Sequence, residues 1–208
     1  MDASKGFFIA RRLVIDKGDA TKLPEFITAK KAALDAKKPE GLQWGVAGLV
    51  VDAPTPSVLV LSHWDTVDHL KAFHETEGYQ KQKQLVEEWS TQPPQDFKIQ
   101  LLTDAKQPAS GSVLEVYSYV VPNAEREALR EEFKNTVLPS ITSAKGFKNL
   151  GYGVAHTESA DETKIVSAIE WENLDAFKAH HADAAWTEVV GKFTPKVKDV
   201  KNYAVNIA

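Results

Sequence analysis

The chain repeats itself, and that constrains its fold more than any other feature. When Trp64 is laid on Trp171, Ser62-His-Trp-Asp-Thr-Val-Asp-His-Leu-Lys-Ala-Phe-His74 runs beside Ala168-Ile-Glu-Trp-Glu-Asn-Leu-Asp-Ala-Phe-Lys-Ala-His-His181. Asp68, Lys71, Ala72, His74 and Tyr79 then fall on Asp175, Lys178, Ala179, His181 and Trp186. The same shift sets Phe7 on Leu114, at the start of each copy's first apolar run. Gly41-Leu42 answers Gly146-Phe147 after a two-residue slip, which a loop of different length explains. A repeat of this size marks a supersecondary unit used twice, and the fold follows from what one unit leaves unburied.

Each copy presents its elements in the same order. A β-rich run comes first, from Phe7 to Ile15 and from Val113 to Val121. A helix follows. In the first copy Leu23, Phe26, Ile27 and Leu34 share one stripe, with Lys30 as an exception on it; in the second, Leu129, Phe133, Val137 and Ile141 do so. Asn123 reads as the N-cap of that second helix, and Pro139 as a kink or end. Two hairpin-like pairs come next, Leu42 to Val51 with Ser57 to Trp64, and Gly151 to His156 with Thr163 to Trp171. The turns are Asp52-Ala-Pro-Thr-Pro56 and Glu158-Ser-Ala-Asp-Glu162. A second helix starts at the acidic residues after each Trp, where carboxylates suit the positive end of the helix dipole. Phe97 to Leu102 and Val200 to Ile207 close the two copies.

The order β-α-β-β-α-β is the ferredoxin-like unit, whose antiparallel sheet carries both helices on one face. Its other face is bare. Two copies on one chain can bury those faces against each other. The expectation is an α+β chain of two ferredoxin-like repeats, 1–102 and 113–208, joined by the linker 103–112 and packed sheet to sheet as an intramolecular pseudo-dimeric α/β barrel. Further homodimerisation is left open.

Charge and composition narrow the partners. The 208 residues carry a net charge of −4 and show no Lys/Arg stripe with interleaved aromatics, so no nucleic-acid partner is expected. No apolar run approaches the roughly 20 residues that span a bilayer, and the N-terminal apolar residues are broken by Arg11 and Arg12. A cytoplasmic protein with no membrane partner is the expectation. Cysteine is absent, which removes disulfides, thiolate metal sites and Cys nucleophiles together.

Six histidines carry most of the remaining chemistry: His63, His69, His74, His156, His180 and His181. Val67, Leu70 and His74 form an i, i+3, i+7 row, and Leu174, Phe177 and His181 repeat it. Both histidines thereby extend an apolar helix face toward the sheet, where each can act as a general base or only hydrogen-bond to the backbone. Adjacent His180 and His181 point about 100° apart on a helix and do not grip one ion, and His69 and His74 lack the i, i+4 spacing of a helical zinc site. No metal is expected. Trp44, Trp64, Trp171, Trp186, Tyr79, Tyr117, Tyr119, Tyr152 and Phe177 are candidates to line a pocket for a flat ligand or simply to fill the core. Trp89 sits in a polar stretch without an assignable partner. Lys31, Lys37 and Lys38 read as solvated surface, and Lys30 as a stem laid along the sheet with its ammonium in water.

A tandem of such units, with a strand ending in an aromatic residue and an acid before the helix Leu174-Asp-Ala-Phe-Lys-Ala-His180, resembles the dimeric α/β barrel superfamily. Within it the chain is most similar to antibiotic-biosynthesis-monooxygenase-like and stress-responsive A/B barrel domains. The family's Lys-Ala-His pattern resembles Lys178-Ala179-His180, where the first copy has Phe73. The resemblance implies a sheet–helix cleft that binds an aromatic or polyketide-like small molecule, with cofactor-independent oxygenase or cyclase chemistry as one outcome and no cofactor. The helix-face rows give His181 and His74, and the Lys-Ala-His likeness gives His180, as catalytic candidates; Trp64, Trp171, Tyr79, Trp186, Phe177 and Tyr119 are the ligand-binding candidates among the aromatic residues. A non-catalytic stress-responsive barrel is the alternative reading, and heme binding or degradation through a single His is the second.

Overall fold

The computed structural model describes residues 6–17, 20–25, 27–28, 38–93, 95–104, 106–155 and 160–208. Phe26, Lys30, Lys31, Leu34, Lys37, His156 and the start of the Glu158 turn lie outside the described residues. Eight strands form the frame: β1 (Phe7–Val14), β2 (Leu42–Val50), β3 (Ser57–Trp64), β4 (Gln95–Leu101), β5 (Val113–Pro122), β6 (Phe147–Ala155), β7 (Glu162–Trp171) and β8 (Lys198–Ile207). They close into one barrel in the order β1-β3-β2-β8-β5-β7-β6-β4. Each half contributes a run of four strands in the ferredoxin-like order, and every neighbouring pair is antiparallel.

The bare faces meet inside the barrel. Phe8, Ala10, Trp44, Leu59, Leu61 and Ile99 of the first half pack with Leu114, Val116, Val166, Val205 and Ile207 of the second in one core cluster. Each of the Val, Leu, Ile and Phe side chains among them contributes about 1.5–3 kcal/mol by leaving water. Closure adds edge pairing, which removes the four exposed sheet edges that two separate sandwiched sheets would keep. The seams are short: Gly48, Leu49 and Val50 pair with Ile207, Asn206 and Val205, while Ile99, Gln100 and Leu101 pair with Ala155, Val154 and Gly153. Gly48 and Gly153 hold equivalent places on the two seams. A Cβ at Gly48 would stand 1.9 Å from the Asn206 carbonyl oxygen, and one at Gly153 would stand 2.3 Å from that of Gln100. Only a residue without a side chain lets the partner strand come so close.

The strand registers correct one alignment. Phe7 lies opposite Trp64, and Val113, not Leu114, lies opposite Trp171. The counterpart of Phe7 is therefore Val113. A slip of one residue exchanges the two faces of a strand, and the corrected register puts Phe8 and Leu114 together in the barrel core. The slip between Gly41-Leu42 and Gly146-Phe147 is real, since Leu42 and Phe147 face Trp64 and Trp171 in turn.

The helices cover the outside of the sheets. In place of one long helix after each Trp there are two segments: α1 (Val67–His74) and α2 (Glu77–Trp89) in the first half, α5 (Leu174–Ala182) and α6 (Ala184–Phe193) in the second. Thr76 and Asp183 restart the chain, their side chains accepting from the Tyr79 and Ala185 backbone N–H groups. Asn123 does not cap the helix near it. That helix begins as α3 (Arg126–Glu132), and the Asn123 amide instead donates to the Ala160 carbonyl while its oxygen accepts from Thr163, tying β5 to the turn before β7. Pro139 neither ends nor breaks the run, because a π-helical turn at Phe133–Val137 precedes it and Pro139 falls in the first turn of α4 (Leu138–Thr142), where no N–H is needed. Trp89 finds its place against the cluster of Leu13, Ile15, Leu23, Ile27 and Val58. No helix among the described residues is long and apolar enough to cross a membrane.

Candidate active site

β5 is buried on both faces for most of its length, so a charged residue inside it must find partners within the protein. Glu115 is that residue. It is 1% exposed and points under α5 and α6, away from the barrel core. Three donors converge on it: Trp171 Nε1 gives 2.9 Å to Oε2, and His181 Nε2 and Asn202 Nδ2 give 2.9 and 2.7 Å to Oε1. The donors come from three elements, β7, α5 and β8, so the folded chain assembles them around one carboxylate. In the tautomer that donates Nε2–H to the Glu115 carboxylate, Nδ1 is left as the acceptor nitrogen of a ring that is 29% exposed.

His180 lies deeper than its neighbour. Its ring sits between Trp171 and Trp186, with centroids 4.6 and 4.3 Å away, and its buried Nε2 has no hydrogen-bond partner among the described residues. Burial, and then the neighbouring His181, hold its pKa below the ordinary 6.5, so the imidazole is neutral at neutral pH. Phe177 stands 4.5 Å from His181 and Trp186 stands 5.8 Å from it. On the C-terminal half the structure thus brings together His180, His181, Trp171, Trp186 and Phe177. Tyr119 lies elsewhere in the same packed layer, buried against Phe193, and burial pushes its phenol well above the ordinary value.

The N-terminal half places His74, Tyr79 and Trp64 in a different setting. His74 stacks on Tyr79 at 4.2 Å, the Tyr79 hydroxyl accepts from Arg11 Nη1, and Phe73 fills the space between Trp64 and Tyr79. The Trp64 indole donates to Ser62 Oγ at 2.9 Å.

A cavity opens in a third place, at one end of the barrel bore, with about 20 Å³ of free volume. Its walls include Trp44, Tyr152 and Glu170 and no histidine. No group of three or more metal-ligating side chains occurs among the described residues. Glu115 and Asn202 escaped the sequence reading. The signal was present: a lone Glu inside the apolar run Val113-Leu-Glu-Val-Tyr-Ser-Tyr-Val121, at a position where the first copy has Ile9.

Comparison with known proteins agrees with this asymmetry. Residues 112–192 match the family described as antibiotic biosynthesis monooxygenase. None of the curated proteins compared with the chain matches it. Among solved structures, a candidate monooxygenase of Fusobacterium nucleatum superposes with a TM-score of 0.72 at 11% identity, covering 100% of this chain and 94% of its own. One from Lactobacillus acidophilus gives 0.67 at 14%, covering 99% and 94%, and an anthrone oxidase-like protein gives 0.73 at 15%, covering 99% and 94%. At such identities the likeness speaks to fold, and it runs the length of the tandem barrel. The family match thus falls on the C-terminal half, within a chain that has the pseudo-dimeric α/β barrel fold as a whole.

Proposed function

We propose that the chain binds an aromatic or polyketide-like small molecule between the C-terminal sheet and its helices, and acts on it as a cofactor-independent oxygenase or cyclase. The observation that carries this reading is the buried Glu115 carboxylate bound to His181 Nε2. A carboxylate that orients an imidazole and stabilises its protonated form turns it into an effective base, as in hydrolytic triads. His181 Nδ1 would take a proton from a phenol or enol of the ligand. The resulting anion is the species that reacts with dioxygen in an oxygenase, or with a carbonyl of the same molecule in a cyclase. Trp186 and Phe177 supply flat apolar surface beside that base, and neutral His180 offers one further hydrogen-bonding nitrogen. The family match of this half supports small-molecule or oxygenase chemistry in general.

The competing reading, a barrel without chemistry, draws on the near-complete burial of Glu115 and Trp171, which equally suits a network that only fixes the fold. Turnover separates the two. A panel of anthrones, naphthols and related phenols is screened by thermal shift, and hits are followed by oxygen uptake and mass spectrometry. His181→Ala is expected to lower the rate by about 10²–10⁴-fold, with Glu115→Gln close behind. Turnover unchanged in both variants, or no ligand at all, would leave the non-catalytic reading standing.

A further inference from the structure

The second buried carboxylate is served very differently from the first. Glu170 is 8% exposed, yet among the described residues its only donor is the Ala109 backbone N–H, at 2.8 Å. Glu115 receives three. An ionised carboxylate has room for about four hydrogen bonds and is costly to bury with fewer. Glu170 lines the cavity at the end of the barrel bore, as do Asn149 and the exposed Lys106.

That cavity exists because the two halves fill the bore unequally. By strand register Asn149 stands where the first half has Trp44, Gly151 where it has Val46, Val166 where it has Leu59, and Ala168 where it has Leu61. One wall keeps its bulk; the other has lost it. The stretch that joins the halves crosses this end of the bore. Tyr152 N–H bonds Thr103 Oγ1 on one side and Gly111 N–H bonds the Ile207 carbonyl on the other. Between them buried Pro108 lines the cavity and Ala109 donates to Glu170. The strap thus presents an apolar ring with a hydrogen-bond donor beside it to a site of mainly apolar walls, with Glu170, Asn149 and Lys106 as its polar side chains.

We infer that this end of the bore is a second small-molecule site, apart from the Glu115–His181 layer, which takes a compact single-ring molecule ending in an ammonium or hydroxyl donor in place of Pro108 and Ala109. Phe8, Trp44, Leu114 and Val166 would hold the ring, and Glu170 the donor. An anionic ring of the same size would meet the Glu170 carboxylate, with only the exposed Lys106 to offset it.

The test titrates the full chain with benzylamine, benzyl alcohol and benzoate by ligand-observed NMR. Benzylamine is expected to bind, benzyl alcohol more weakly, and benzoate not at all. Ala168→Leu, which restores the bulk of Leu61, should weaken benzylamine by about 10-fold or more, the equivalent of about 1.4 kcal/mol. Glu170→Gln should weaken benzylamine by a similar factor and leave benzyl alcohol nearly unchanged. Should Ala168→Leu melt early, Glu170→Gln carries the decision alone. His181→Ala should bind benzylamine as the parent does, whatever it does to turnover. The inference fails if benzylamine does not bind, if benzoate binds equally well, if folded Ala168→Leu and Glu170→Gln retain full affinity, or if His181→Ala abolishes binding.

Discussion

The two halves share a backbone plan and differ in what lies between sheet and helices. Each has a buried Trp at the end of its third strand, and each must satisfy one indole N–H. In the first half Ser62, on the same strand as Trp64, accepts it, and the cross-strand neighbour of Ser62 is Ile9. In the second half the corresponding pair is Ile169 and Glu115, and the acceptor is the Glu. The same need for one acceptor is met once by a neutral hydroxyl and once by a carboxylate. Only the carboxylate goes on to recruit a histidine and an amide. Phe73 against His180 follows the same division, since the first half puts a phenyl ring where the second puts an imidazole. One repeat is finished as a core, the other as a polar layer, and the family match falls on the latter.

The comparison is tested most severely at Glu115. Glu115→Ala leaves an indole N–H, an amide and an imidazole without their shared acceptor, and about 3 kcal/mol of stability should go, read by urea unfolding. Ser62→Ala in the first half removes a single neutral bond and should cost about 1 kcal/mol. Equal losses would mean that the two layers are not different in kind. At the seams, where the halves are alike, the expectation reverses. Gly48→Ala and Gly153→Ala should each cost roughly 2 kcal/mol through the clash with a partner carbonyl. Markedly unequal melting temperatures for these two variants would break the symmetry argued for closure.

A smaller effect comes from pH. Because the folded pKa of His180 lies below its unfolded value, the unfolded chain binds more protons in between, so stability falls as pH drops below about 6.5. His180→Phe, which installs the residue of the first half, should flatten that part of a stability–pH profile. In the first half the sign is opposite: His69, hydrogen-bonded to Asp65, has a raised pKa, and its contribution is lost as pH rises. His69 and its partner Asp65 both reach solvent, so His69→Ala should shift the profile least of all.

The repeat, the strand order and the meeting of bare sheet faces could be read from the residues because periodicity and duplication are local signals. Gly48 and Gly153 were also readable, once the slip between Gly41 and Gly146 was known, but their purpose needs the partner strand to be in place. The Glu115 network was harder. Its members lie in β5, β7, α5 and β8, and no spacing along the chain connects them. The charge within an apolar run was the clue, and it identifies a buried group without naming its partners. His181 was singled out by its position on the helix and His180 by the Lys-Ala-His likeness, but which of them is deeper depends on how α5 sits over Trp171. The break after each helix, at Thr76 and Asp183, was written in ordinary capping residues.

Because β2 runs against β8 and β4 against β6, every strand points the same way along the barrel as its counterpart, so the approximate twofold axis runs down the bore. Anything bound on that axis is counted once per chain, whereas a pocket under the helices has a twin on the opposite side. In an assembly of two identical subunits, an occupant of the bore would see each side chain twice. A covalently joined pair escapes this rule, and can set Glu170 across from a His63. Lopsided molecules, with one end unlike the other, are the natural guests of such a channel.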